Sequence, residues 1–315
     1  MDAIFIFSSP RSGSTWLAKA FDSHPSTLYL HEPDIVDRGT DLLPHWFGHE
    51  AREWDIQATQ YLARLSKNRN IRTVGTRPFF PKRYRGEIER RIRTGLIYMG
   101  KGLERAGFNS IVERLVIPDL VRPGFTPRTV IKSVSALGRV GALLNATSTI
   151  SPVLLLRNPC AYVHSYLRGN RLGVMPPPRP LGHLLETRSA ERLNAKSATS
   201  DADDVVKRLA WEWLLANCEA HTAISKVGGT IISFEELTNN PEPQIRSLFS
   251  KLGLDWSDST TEFLASSSAG EGSYYSLARD PVVAANKWKS EMDSQMVQQV
   301  QNIACLDPIG QQYFS

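Results

Sequence analysis

Cysteine is scarce: the 315 residues hold only Cys160, Cys218 and Cys305, odd in number, far apart and without any C-x-x-C spacing. That pattern excludes a disulfide-stapled scaffold and offers no zinc-ligand spacing. The thiols read as reduced and structural, in a reducing compartment, and no metal is expected. Long apolar runs are also missing. No stretch approaches the roughly 20 apolar residues that a bilayer crossing needs. The apolar start of the chain is too short for a signal peptide and has no basic region before it, so a cytoplasmic chain without membrane attachment is expected. Neither internal repeats nor low-complexity tracts occur, which excludes solenoids and propellers. Charge is not of one sign: 37 basic against 32 acidic residues leave a net +5, and the pI is near 9.1. Such a surface suits an anionic ligand without requiring one. With 41% hydrophobic and 22% charged residues the composition is that of an ordinary globule.

What is present is an alternation of short apolar runs and helical periodicities. Residues 3–9 carry two Ile and two Phe in an almost unbroken apolar run, the mark of a strand buried on both faces of a parallel sheet. Residues 14–23 follow with Trp16, Leu17, Ala20 and Phe21 at helical spacing. Further strands are predicted at 27–32, 129–134, 152–157 and 229–234, and helices at 51–65, 88–104, 160–168, 203–226 and 245–252. Strands alternating with helices predict a three-layer α/β/α fold on a central, mainly parallel five-stranded sheet, in a single domain spanning 1–315. Two connections exceed simple crossovers. Residues 38–128 form a helical insertion with a basic stretch from Arg72 through Lys82, Arg83 and Arg85 to Arg93, expected to cap the site on the acceptor side. Residues 170–204 hold Pro176-Pro177-Pro178 and are expected to form a mobile lid or exposed loop.

The turn between the first strand and first helix reads Ser8-Ser9-Pro10-Arg11-Ser12-Gly13-Ser14-Thr15-Trp16. Helix-start N–H groups with a positive dipole end attract anions. Gly13 allows close backbone approach, the hydroxyls of Ser12, Ser14 and Thr15 add donors, and Arg11 adds charge. The plainer alternative is a Ser/Gly turn that merely caps its helix. A Walker A loop is excluded, because that motif needs Lys before a magnesium-binding hydroxyl and Ser14 stands in its place. Pro-Arg-Ser-Gly-Ser-Thr-Trp-Leu resembles the 5′-phosphosulfate loop of sulfotransferases that use 3′-phosphoadenosine-5′-phosphosulfate (PAPS), particularly the carbohydrate, tyrosylprotein and bacterial branches. The resemblance implies a P-loop-like fold, PAPS as donor, adenosine 3′,5′-bisphosphate (PAP) as product, and Arg11, Ser12, Gly13, Ser14, Thr15 and Trp16 as the 5′ loop.

A second half-site is expected where the strand at 152–157 ends in Arg157. Ligands of a doubly wound sheet gather at the carboxyl ends of its strands, and an arginine fork suits a dianion. Arg157 with Ser165 eight residues on resembles the family's 3′-phosphate motif. Near the C-terminus, Arg279, Lys287 and Trp288 resemble the loop that closes over the nucleotide; a solvated basic turn is the equal alternative.

For the chemistry, Leu30-His31-Glu32-Pro33 resembles the Glu-Pro pair of carbohydrate sulfotransferases, implying Glu32 as general base, its pKa raised by partial burial, with His31 as the competitor. Strand alternation predicts that the two point to opposite faces; an ion pair with an arginine of the insertion is the structural alternative for Glu32. Lys132, inside an otherwise apolar strand, is expected to meet the ligand's anion together with Arg11. The acceptor stays open among carbohydrate and small-molecule alcohols or phenols, and so does the oligomeric state. Two other functions remain: a magnesium-dependent P-loop kinase, disfavoured by the loop, and a polyanion- or nucleic-acid-binding module using the basic 72–93 stretch. No nucleic-acid module appears in the sequence, and that stretch better suits a helix surface or an acidic acceptor.

Overall fold

In the computed structural model, residues 2–36, 43, 54–198, 204–267 and 280–314 are described. The elements that position the site are, in order, β1 (Ala3–Ser8), α1 (Ser14–Ser23), β2 (Thr27–His31), α2 (Asp55–Lys67), α3 (Glu87–Arg105), β3 (Arg128–Ser133), β4 (Ile150–Leu156), α4 (Pro159–Arg171), α5 (Val205–Lys226), β5 (Thr230–Ser233), α6 (Phe234–Asn239), α7 (Pro241–Lys251) and α8 (Pro281–Asn286). The strands form one sheet in the order β2-β3-β1-β4-β5, and every pairing is parallel. The five-stranded parallel sheet expected from the apolar runs is therefore present, each strand within two residues of its expected limits.

β1 is buried along its whole length because it lies between two neighbours and two helical layers. Its side chains alternate between faces, as the period of two requires. Phe5 and Phe7 join Leu30, Ile131, Leu154 and Leu156 in the core beneath α5. Ile4 and Ile6 join Tyr29, Val130, Val153 and Leu155 in the core beneath α1 and α7. Both faces are covered, which is why these strands read as continuous apolar runs rather than alternating ones.

The second long connection differs in part from an exposed loop. Its proline cluster is largely exposed, but from Gly182 onward it forms short helical turns, Gly182–Glu186, Arg188–Arg192 and Ala195–Ala198. Leu184, Ala190 and Ala195 enter the main core from these turns. Apolar residues five or six apart anchor the segment despite its polar composition. Residues 199–203 lie outside the described residues, as do 38–42 and 44–53 of the first insertion.

Candidate active site

The turn after β1 supplies an anion cradle. Gly13, at φ +86, caps α1. Its carbonyl accepts the amides of Trp16 at 3.0 Å and Leu17 at 3.3 Å, while the amides of Gly13, Ser14 and Thr15 donate no hydrogen bond among the described residues. Ser12 Oγ is buried and has no partner among them either. Unpaired donors at a helix start are the chemistry a phosphate or sulfate ester needs, so these residues fit the 5′ end of a phosphosulfate. Two expectations change in their physical basis. A Cβ on Gly13 would lie 2.2 Å from the Phe234 ring, so glycine is required there to seat the first residue of α6 as well as by the positive φ. Trp16 turns its ring into the core, 6.1 Å from Phe263 and 5% exposed.

The end of β4 is tied directly to that cradle. Arg157 Nη1 donates to the carbonyl of Arg11, and Nη2 donates to the carbonyl of Ala284 in α8 at 2.6 Å. Arg11 itself holds a left-handed backbone at φ 66, a strained state for a residue with a side chain. Its Nε donates to Ser165 Oγ at 3.3 Å. Ser12, Gly13, Arg157 and Ser165 therefore meet at one sheet edge. Sequence reasoning missed the supports of this junction. Trp213 Nε1 donates to the carbonyl of Arg157 at 3.0 Å, Asn217 Nδ2 donates to Ser9 Oγ at 3.1 Å, and the Phe234 ring lies 5.3 Å from the Arg157 guanidinium. Both α5 residues are 56 or more positions from their partners, a separation at which no local signal operates. Lys287, three residues beyond Ala284, pairs with Glu291 at 2.9 Å, and Glu291 also meets His164 Nε2 at 3.1 Å. Trp288 is half-buried against the main core. Arg279 lies outside the described residues.

A third group forms at the ends of β2 and β3. Lys132 Nζ donates to Glu32 Oε1, with the two side chains 3% and 20% exposed. Lys132 thus has a carboxylate partner within the chain, besides the ligand anion it was expected to meet; Glu32 pairs with this lysine rather than with an arginine of the insertion. His31 is held through Nδ1 by the Tyr29 hydroxyl at 2.7 Å. The expected separation of His31 and Glu32 onto opposite faces fails. Glu32 lies just past the strand with φ 43, and its amide donates to the Lys132 carbonyl at 2.8 Å. That left-handed turn cancels the alternation and brings both side chains to Lys132. Burial pushes the Glu32 carboxyl up, but the Lys132 charge, His31 and the Lys132 hydrogen bond outweigh it, so the net shift is downward. The expected raised pKa is therefore wrong for this arrangement. Burial, and then the Lys132 charge, push the His31 imidazole down to about 4.

Among the described residues no cluster of three or more His, Cys, Asp or Glu could hold a metal ion, and no helix is long and apolar enough to cross a membrane.

A parallel sheet whose first strand-to-helix turn leaves amides unpaired, with an arginine from a neighbouring strand end beside it, defines an α/β protein with a turn suited to an anion. The chain belongs to the sulfotransferase family, whose family model matches residues 3–258. Among solved structures, it is similar to mouse sulfotransferase SULT7A1 complexed with PAP, at 14% identity and a TM-score of 0.49, over 99% of this chain and 88% of that one. It is likewise similar to the sulfotransferase domain from the curacin biosynthetic pathway, at 14% identity and a TM-score of 0.45, over 96% of both chains. A sulfotransferase from Alicyclobacillus acidocaldarius matches at 13% identity and a TM-score of 0.43, over 100% of this chain and 96% of that one. No curated protein matches this sequence.

Proposed function

We propose that this sulfotransferase moves a sulfuryl group from PAPS to a hydroxyl of a carbohydrate or small-molecule acceptor by in-line displacement, releasing PAP. The observation that carries the reading is the contact of Arg157 with the Arg11 carbonyl. It supports two anion subsites on one edge, as a nucleotide phosphorylated at both ends of its ribose requires. The unpaired amides of Gly13, Ser14 and Thr15, with Ser12 Oγ and Arg11, hold the 5′ phosphosulfate. Arg157 and Ser165 hold the 3′-phosphate, and Lys287 and Trp288, with Arg279, close over the nucleotide from the C-terminal side. The chain acts as one domain, with 38–128 as the acceptor-side cap and 170–204 as a second cover.

PAPS supplies the sulfuryl group, and the bond broken joins its sulfur to the bridging phosphate oxygen. The new bond joins that sulfur to the acceptor oxygen, whose proton passes to Glu32. Charge accumulates on the departing phosphate, where Arg11 and the loop amides stabilise it; such positioned charges are the main source of rate in transfers of this kind. Lys132 has two roles. In the resting protein it keeps Glu32 ionised and able to accept a proton. When the donor's anion attracts Lys132, Glu32 loses its largest opposing charge, burial dominates, and the carboxylate becomes a stronger base. His31, pushed down to about 4, is neutral at pH 7 and orients the acceptor rather than taking its proton.

A thermal-shift comparison tests the donor: PAP should raise the melting temperature with or without magnesium, and ATP with magnesium should not. A magnesium-dependent shift with ATP alone would point to the kinase alternative. Glu32→Gln should lower kcat by two to four orders of magnitude, the range of general-base catalysis, while sparing PAP affinity. Unchanged turnover would return the base role to His31.

A further inference from the structure

A cavity lies along the free edge of β2, the outermost strand of the sheet, and is roofed by residues 74–94 of the first insertion. Its walls are aromatic, with Tyr29, Phe79, Phe80 and Tyr84, and its charged lining sets Lys82, Arg85, Arg90 and Arg93 against Asp22 as the one carboxylate. Asp22 is already committed: it pairs with Lys19 and, at 3.0 Å, with Lys82. Arg90 is satisfied by Glu87 at 2.6 Å. Arg85 and Arg93 remain. Arg85 stacks 4.7 Å from the Tyr84 ring centroid, and its Nε donates to the Asp119 carbonyl; no carboxylate within ion-pair distance balances its charge among the described residues. Arg93 makes no hydrogen bond or ion pair among them, and its Nε is buried and unsatisfied. Burial first, and the charge of Arg85 second, push the Arg93 guanidinium down to about 10. The charges of Asp119 and Asp22 offset this only in part, and two half-buried guanidinium groups that repel each other are costly to fold. An anionic ligand between them removes that cost.

Resting on the sulfotransfer reading above, we propose that this cavity receives the acid-bearing end of the acceptor: a carboxylate, sulfate or phosphate gripped by Arg85 and Arg93, attached to a planar or apolar body between the aromatic walls. Tyr29 ties the cavity to the chemistry, because it lines the cavity and its hydroxyl holds His31. Neutral sugars and simple phenols lack an anionic group and are the poorer acceptors.

Calorimetric titration with 2-naphthalenesulfonate and its neutral counterpart 2-naphthol, on protein saturated with PAP, tests the proposal. The sulfonate is expected to bind at least about tenfold tighter than the naphthol, alongside PAP. Arg93→Gln, and independently Arg85→Gln, should remove that preference while leaving the PAP affinity unchanged, in the range expected for charge-assisted hydrogen bonds. Equal affinity of the two probes, a preference retained in both variants, or displacement of the sulfonate by PAP would overturn it. Failure of PAP to bind would sink the nucleotide reading instead, and with it the acceptor role. The same titration without PAP would then still decide whether the cavity selects anions through Arg93.

Discussion

Replacing Gly13 with alanine probes the junction on which the cradle depends. The added Cβ would meet three atoms of the Phe234 ring at 2.2, 2.4 and 2.7 Å, at a backbone φ of +86. A left-handed conformation costs an L-residue roughly 1–2 kcal/mol, and forcing a methyl group into a packed core costs about 1–3 kcal/mol more. Phe234 is 3% exposed and packs beside the Arg157 guanidinium, so the ring cannot swing away without disturbing the second half-site. Gly13→Ala should therefore lower stability by about 2–5 kcal/mol in urea unfolding with an unchanged slope, and should weaken PAP binding. Pairing it with Phe234→Leu separates the two contributions. The steric part, about 1–3 kcal/mol, should emerge as a favourable coupling in the double-mutant cycle, whereas the conformational part should persist. A Gly13→Ala protein within about 0.5 kcal/mol of wild type, the scatter of neutral surface changes, would refute the reasoning.

Lys132→Met leaves Glu32 without its partner. Breaking a buried pair from one side costs about 3 kcal/mol or more, and Lys132→Met/Glu32→Gln should recover much of that loss. Because the Glu32 carboxyl is held below its ordinary value, the pair's contribution is full at neutral pH and lost as pH falls through that lowered value, so the single mutant and wild type should converge in acid. Failure to converge would place the loss elsewhere. His31 gives a second pH signature. Its pKa falls from 6.5 to about 4, so between those values the unfolded chain binds a proton that the folded chain excludes. Stability present above pH 6.5 should decline toward pH 4, by up to about 3 kcal/mol from this group at 1.36 kcal/mol per pH unit. His31→Asn should flatten that slope in chemical unfolding series, and an unchanged slope would assign it to other groups.

The sheet was legible in the sequence because both its faces are covered: burial on two sides makes residues 3–8 an unbroken apolar run, and the same holds for residues 153–156. The first turn was legible because its chemistry is local, with Ser12, Gly13, Ser14 and Thr15 adjacent in the chain. Non-local consequences were not. Gly13 needs no side chain because Phe234, 221 positions on, occupies that space, and nothing near either residue signals it. Glu32 defeated the alternation argument because a positive φ at a residue with a side chain has no reliable sequence mark. The Lys132–Glu32 pair spans 100 positions, so the apolar neighbours of Lys132 alone suggested an unmet charge. Helical turns at 182–198 were obscured by the polar residues among their few anchors.

The central claim is that two anion subsites share one edge, and calorimetric titration of the wild-type protein with PAP and with adenosine 5′-phosphate tests it most directly. Hydrogen bonds to charged groups contribute about 1.5–3 kcal/mol each, so two from Arg157 and Ser165 to a 3′-phosphate amount to at least about 3 kcal/mol, or roughly a hundredfold. PAP should bind tighter than adenosine 5′-phosphate by that margin. Affinities within about threefold of each other, a difference of less than 1 kcal/mol, would contradict the account.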